Sequence, residues 1–205
     1  MIICAGDIEQ FDFATPIGIG LVNTAINLTK LCLLSPPEFI LFVGTAGSYG
    51  RHEIFDIVES RTAANIENGF FTHGAYTPLD NVISTAEPSR LYFTPTASAP
   101  SLQARDSSYL IYDPDVSRET IVNSSNYITT DPTLSSHYLK QNIKLENMEF
   151  FSILKVAQEL NIPAGGVFIV TNYCDNDAHK SFVTNHKEAI EKLTLYMRDR
   201  LGRMQ

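Results

Sequence analysis

Five apolar residues in a row, Phe39-Ile40-Leu41-Phe42-Val43, pass without a polar interruption into Gly44-Thr45-Ala46-Gly47. A strand with one face in water alternates apolar and polar side chains. An unbroken run of this length therefore predicts a strand covered on both faces, as in a largely parallel sheet. Gly166 to Thr171 repeats the pattern near the other end of the chain, and Met1 to Ala5 is a third run of strand length, closed by Gly6 and Asp7. Ile54 to Val58 and Glu119 to Asn123 are further strand candidates.

Between these runs the period changes. Leu21, Val22, Ala25, Ile26, Leu28, Leu31 and Cys32 recur with helical spacing, and Pro36-Pro37 stops that helix. Met148 to Leu160 reads as a second helix, closed by Asn161-Ile162-Pro163. His186 to Leu201 reads as a last one, with Ala189, Ile190, Leu193 and Met197 on one face. Buried strands alternating with helices imply a layered α/β fold, whose ligands gather where loops leave the carboxyl ends of strands. Gly44-Thr45-Ala46-Gly47 and Thr171-Asn172 are expected at such ends.

The chain has 205 residues, 44% of them apolar, enough for one sizeable core, so a single domain over 1–205 is expected, and no internal repeat is found. A net charge of -8 opposes general attraction to nucleic acid or anionic membrane and favours small-molecule chemistry. Cys4, Cys32 and Cys174 are odd in number and far apart, which suggests neither a disulfide framework nor a thiolate zinc site. The five histidines show no metal-ligand spacing, so no metal is expected. Met1 to Gly6 is too short for a secretory signal, and polar residues interrupt Ile17 to Leu34, so a cytoplasmic protein without membrane spans is expected. The glycines of Val43 to Gly50 lack the G-x-G-x-x-G spacing of a dinucleotide site. Phe71 to Asp115 is rich in Pro, Ser and Thr and reads as an active-site loop or an oligomer contact.

The segment Leu145-Glu146-Asn147-Met148-Glu149-Phe150-Phe151 sets a carboxylate beside a methionine where an apolar helix begins. Alone, that pattern is explained by an acid at the positive end of a helix dipole and a methionine filling core. Its order with Ile17-Gly18-Ile19-Gly20, Val43-Gly44-Thr45-Ala46-Gly47 and Val167 to Thr171, ending in Asn172-Tyr173-Cys174-Asp175, resembles the purine nucleoside phosphorylase and uridine phosphorylase superfamily. That superfamily also contains the methylthioadenosine/S-adenosylhomocysteine nucleosidases. The resemblance implies a three-layer α/β/α fold with a central mixed, largely parallel sheet, no cofactor, and a homo-oligomer.

It also implies roles. Glu149 matches the glutamate that accepts hydrogen bonds from the ribose hydroxyls, and Met148 the methionine packed on the sugar. Asn147 stands where the nucleosidases carry a further glutamate that helps position water. Asn172 stands where nucleosidases and hexameric phosphorylases have an acid that protonates the purine; an amide can only donate a hydrogen bond, which suits a 6-oxopurine leaving group. The alternative is that Asn172 merely caps a strand-to-loop turn. Tyr127, in Ser124-Ser125-Asn126-Tyr127-Ile128, matches the aromatic residue stacked on the base, with Ile128 offering backbone contacts; a core tyrosine is the competing reading. Gly6 and Thr45 match phosphate-binding positions, but the family arginines do not: Gln10 and Phe42 stand near their places, and Arg51 and Arg61 are substitutes nearby in sequence or plain surface charges. The resemblance thus implies phosphorolysis of 6-oxopurine nucleosides, with purine nucleoside and phosphate as partners. A phosphate-independent nucleosidase is the second reading, favoured by the missing arginines, and a non-catalytic nucleoside-binding protein the third.

Overall fold

The structure, a computed structural model, describes residues 1–85 and 120–202. Along the described chain run β1 (Ile2–Cys4), β2 (Thr15–Pro16), α1 (Leu21–Leu34), β3 (Ile40–Ser48), β4 (Ile57–Ser60), β5 (Thr62–Ala64), α2 (Asn68–Phe71) and β6 (Val82–Ser84). After them come β7 (Ile121–Ser124), α3 (Pro132–Lys140), β8 (Ile143–Asn147), α4 (Phe150–Glu159), β9 (Ala164–Tyr173) and α5 (Ala178–Gly202). The strands form one mixed sheet in the order β2-β1-β3-β8-β7-β5-β6, with β9 pairing β3 and β4. β1/β2, β1/β3, β3/β9, β5/β7 and β7/β8 are parallel, and β3/β8, β4/β9 and β5/β6 antiparallel.

The two unbroken apolar runs are β3 and β9, and they are covered on both faces for the reason their composition requires. On one side Phe42 and Phe168 meet Phe150 of α4, with Phe150 and Phe168 edge to face at 5.0 Å, and α1 closes the layer through Leu28 and Cys32. On the other, Val43, Val167 and Ile169 receive Ala189, Leu193 and Met197 of α5. Each fully buried large side chain here contributes roughly 1.5–3 kcal/mol through removal from water. The result is the three-layer arrangement of helices on both faces of a mixed, mostly parallel sheet.

Several boundaries differ from the sequence reading. α4 begins at Phe150 rather than Met148, because the Asn147 side chain caps it from outside: its Oδ1 accepts from the N–H of Glu149 (3.1 Å) and of Phe150 (2.9 Å). α5 begins at Ala178, a full two turns before His186, since its first half carries too few apolar residues to show a period. The Ile54 to Val58 run starts its strand only at Ile57, after Phe55 takes a φ of 74°. Glu119 and most of the Phe71 to Asp115 segment lie outside the described residues.

Gly44-Thr45-Ala46-Gly47, read as a loop, is the interior of β3. β9 occupies one edge of that strand from Ile40 to Ser48, so β1 and β8 share the other. β1 pairs as far as Phe42, and β8 pairs only at Gly47 and Ser48. Between them, among the described residues, a short stretch of strand edge has no strand beside it. Such a change of neighbour is where an α/β sheet opens a ligand crevice.

Candidate active site

At that opening lies a cavity of about 290 Å³, near the lower bound of the ~300–1,000 Å³ usual for small-molecule sites. Gly6, Thr45, Tyr127, Ile128, Asn147, Met148, Glu149 and Asn172, all the positions matched to the family, line it. Glu9, Glu146, His179 and Phe182 line it too, and none of these four was assigned a role from sequence.

Glu9 closes the unpaired edge of β3. Gly6, at φ 96°, turns the chain after β1 so that Gly6 and Glu9 exchange backbone hydrogen bonds (3.2 and 2.9 Å), which aims the Glu9 side chain back at the sheet. Its carboxylate accepts the Thr45 N–H at 3.1 Å and the Thr45 hydroxyl. A backbone donor that β1 and β8 leave unpaired is thus satisfied by an acid. Burial pushes the Glu9 pKa up, while the Thr45 donors and the charge of His186 pull it down. The His186 ring lies tilted against the cavity residue Phe182 at 5.1 Å, and its Nε2 is buried without a hydrogen-bond partner among the described residues.

Glu149 is 5% exposed. Its Oε1 accepts the Gly20 N–H (2.9 Å), and its Oε2 accepts the Asn147 amide (2.8 Å) and the Met148 N–H (3.2 Å). Burial, then the negative charge of Glu9, raises its pKa to about 7 against the lowering effect of the Gly20 and Met148 donors. The Asn147 side-chain oxygen is fully engaged: besides capping α4 it accepts the Ser124 hydroxyl at 3.0 Å, while the amide nitrogen holds Glu149. It orients the acid.

Gly6 and Thr45 reach the cavity, yet both of their N–H groups are already taken by Glu9, one by its backbone oxygen and one by its carboxylate. Neither Arg51 nor Arg61 lines the cavity, and among the described residues no lysine or arginine does. Asn172, 7% exposed, lines the cavity while its Nδ2 donates to the Tyr173 carbonyl (3.1 Å) and its Oδ1 accepts the Thr171 hydroxyl (2.9 Å). The side chain that braces the strand end also faces the pocket. Tyr127 is 71% exposed at the cavity mouth, which removes the core alternative. Cys4, Cys32 and Cys174 are buried, and burial pushes each thiol pKa upward, as for packing residues. Among the described residues no cluster of His, Cys, Asp and Glu could hold a metal ion, and no helix is long and apolar enough to cross a membrane.

A crevice at a strand-partner change, lined by buried acids and the Met-Glu pair that precedes α4, defines a small-molecule enzyme site of the α/β class. The chain belongs to the phosphorylase superfamily, whose family model matches residues 4–199. Among solved structures it resembles native futalosine hydrolase of Helicobacter pylori strain 26695, at 15% identity and a TM-score of 0.71 over 98% of this chain and 96% of that one. The 5'-methylthioadenosine/S-adenosylhomocysteine nucleosidase of Helicobacter pylori aligns at 14% identity and a TM-score of 0.70 (98% and 97% covered). That of Neisseria meningitidis aligns at 16% and 0.66 (94% of each). At such identities the likeness speaks for the fold. No curated protein matches the chain.

Proposed function

We propose that this chain is a purine nucleosidase, breaking the N-glycosidic bond with water instead of phosphate. The observation that carries the reading is Glu9: a carboxylate holds the N–H and hydroxyl of Thr45, at the very position the phosphorylase reading gave to phosphate. A phosphate dianion would meet three carboxylates on the cavity wall, Glu9, Glu146 and Glu149, and among the described residues no lysine or arginine there, which opposes its entry. Water meets a base. Glu9 can accept its proton as the oxygen attacks C1' of the sugar and the C1'–N9 bond breaks, its electrons leaving with the base. Glu149 accepts hydrogen bonds from the sugar hydroxyls and faces the developing positive charge; Met148 packs on the sugar. Tyr127 stacks on the base, Ile128 lies beside it, and Asn172 donates to the departing heterocycle. The solved relatives named as hydrolases and nucleosidases support this over phosphorolysis.

Base release from inosine, measured with phosphate and after its rigorous removal, tests the proposal. Equal rates are expected; release that requires phosphate would restore the phosphorylase reading.

Self-association is a second proposal, supported by a different observation. Val22, Ile26 and Leu33 form an exposed apolar stripe along α1. The Leu21 N–H bonds the Asn126 side chain (3.1 Å), joining the start of that stripe to the exposed Tyr127 and Ile128 at the cavity mouth. Light scattering should give a mass above one chain, and Val22→Glu with Leu33→Glu should return it to a monomer.

A further inference from the structure

One residue on the inward stripe of α5 is not apolar. Ala189, Leu193 and Met197 cover Val43 and Val167, and the same helical spacing followed backwards reaches His186 and then Phe182, on the cavity wall. The Asn185 amide donates to the carbonyl of the cavity residue Thr171 (2.9 Å), which fixes this turn of the helix over the end of β9. His186 therefore stands between the core and the cavity. Its ring lies against Phe182, and its Nε2 is buried with no hydrogen-bond partner among the described residues. A position that asks only for packing is better filled by an apolar side chain, because an orphaned ring nitrogen there costs stability.

Glu9 gives this nitrogen a purpose. The loop that carries Glu9 packs on the same helix, since Phe11, two residues further on, joins the cluster of Ala189 and Leu193. Both Glu9 oxygens meet uncharged donors, the N–H and the hydroxyl of Thr45, and the positive charge that favours its ionised form is that of His186. Neighbouring acids are served differently. Asp12 pairs with Arg198 (2.6 Å), Glu59 with Arg200, and Asp56 stands 3.8 Å from His52. β3 and β9, directly beneath the helix, carry no acid, lysine, arginine or histidine. Tyr173, His179, Lys180 and Lys187 are exposed. Glu146 and Glu149 share the cavity wall with Glu9, and the charge of Glu9 pushes up both the Cys4 thiol and Glu149. Two acids on one wall oppose each other's ionisation, so a reaction that uses both as carboxylates needs a cation close by.

We infer that His186 is the positioning residue for the base: from behind the cavity wall its imidazolium keeps Glu9 a carboxylate beside Glu149. Glu9 then takes the proton of the attacking water while the water oxygen bonds C1' and the C1'–N9 electron pair leaves with the base. His186 keeps its own proton throughout. That Glu9 serves as a base rests on the nucleosidase reading; that the two side chains hold each other's charge does not.

Carboxyl 13C NMR of glutamate-labelled protein reads the pair without substrate, the Glu9 signal being the one that Glu9→Gln removes. At the pH where wild-type Glu9 is half ionised, His186→Gln should raise its ratio of acid to carboxylate about threefold or more. His186→Lys, which keeps a cation on that turn, should hold the ratio near or below the wild-type value. Reciprocally, Glu9→Gln should lower the ratio of imidazolium to imidazole at His186 about threefold or more at its wild-type midpoint. That variant leaves α5 untouched and decides the pairing should His186→Gln fail to fold. In base release from inosine, His186→Gln should lower kcat about threefold or more below the wild-type plateau and leave it within about twofold on the plateau. An unchanged Glu9 signal, equal displacement by His186→Gln and His186→Lys, or a loss of kcat that is the same at every pH overturns the inference. If the wild type releases no base with or without phosphate, the nucleosidase reading falls and the carboxyl spectra still decide the pair.

Discussion

Glu146 and Glu149 are three residues apart, both buried, and both on the wall of one cavity, yet their surroundings differ in kind. Glu146 is held by two side-chain hydroxyls and a backbone N–H, and burial raises its pKa against the pull of those donors. Glu149 is held by two backbone N–H groups and an amide, and a second acid, Glu9, adds to burial in raising its pKa to about 7. One carboxylate is fixed by hydroxyls from separate segments. The other changes charge near neutrality.

The largest effect expected from breaking this contrast is at Glu149. Glu149→Gln should reduce kcat/KM by roughly 100-fold or more, on the order of the loss when a group acting on the transition state is removed. Its raised pKa also fixes a sign for stability. The folded value of about 7 exceeds the ordinary 4.5, so the stability tied to the protonated form is present below about 4.5 and is lost as pH rises through about 7. Thermal melts at pH 8 should therefore show Glu149→Gln gaining on the wild type relative to pH 4.5.

Glu9 comes next. Glu9→Gln should cost roughly 100-fold in kcat, within the range of a general base. The proposed reaction uses ionised Glu149, so wild-type activity should rise with pH through about 7, and the residual activity of Glu9→Gln should rise at lower pH, its neighbouring charge being gone. A limb that stays in place would separate the two acids and end the idea that they act together.

A smaller effect is expected at Asn147. Asn147→Ala removes the cap of α4 and one donor to Glu149, which should cost about 1–2 kcal/mol by denaturant unfolding. Activity should fall less than for Glu149→Gln, and its pH limb should move upward as a donor to the carboxylate is lost.

The same contrast accounts for what could be read from the sequence. The sheet strands were legible because an unbroken apolar run such as Phe39 to Val43 needs cover on both faces, and Met148-Glu149 because it opens a helix in a recognisable order. Glu9 carried no such mark. It is a lone acid in a loop, and its meaning depends on Thr45, 36 residues away, and on a strand edge that exists only after β1 and β8 have taken their places. The one available signal was its position three residues after a glycine that ends a strand. Glu146 was hidden differently: alternation along β8 would have given it a face, but the hydroxyls that fix it come from Tyr49 and Thr129, on separate segments. Local pattern reports local structure, and both acids are defined by distant partners.

The change of neighbour along β3 has a kinetic consequence as well. Glu9 needs β3, Glu149 needs Gly20 at a separation of 129 residues, and Glu146 needs β3 and β8 in register. No single segment carries a working fragment of the pocket, and contacts so remote in sequence are slow to close. Catalysis should therefore be the last property regained on refolding, trailing the recovery of helical signal, so that turnover counts only molecules whose whole sheet has come together.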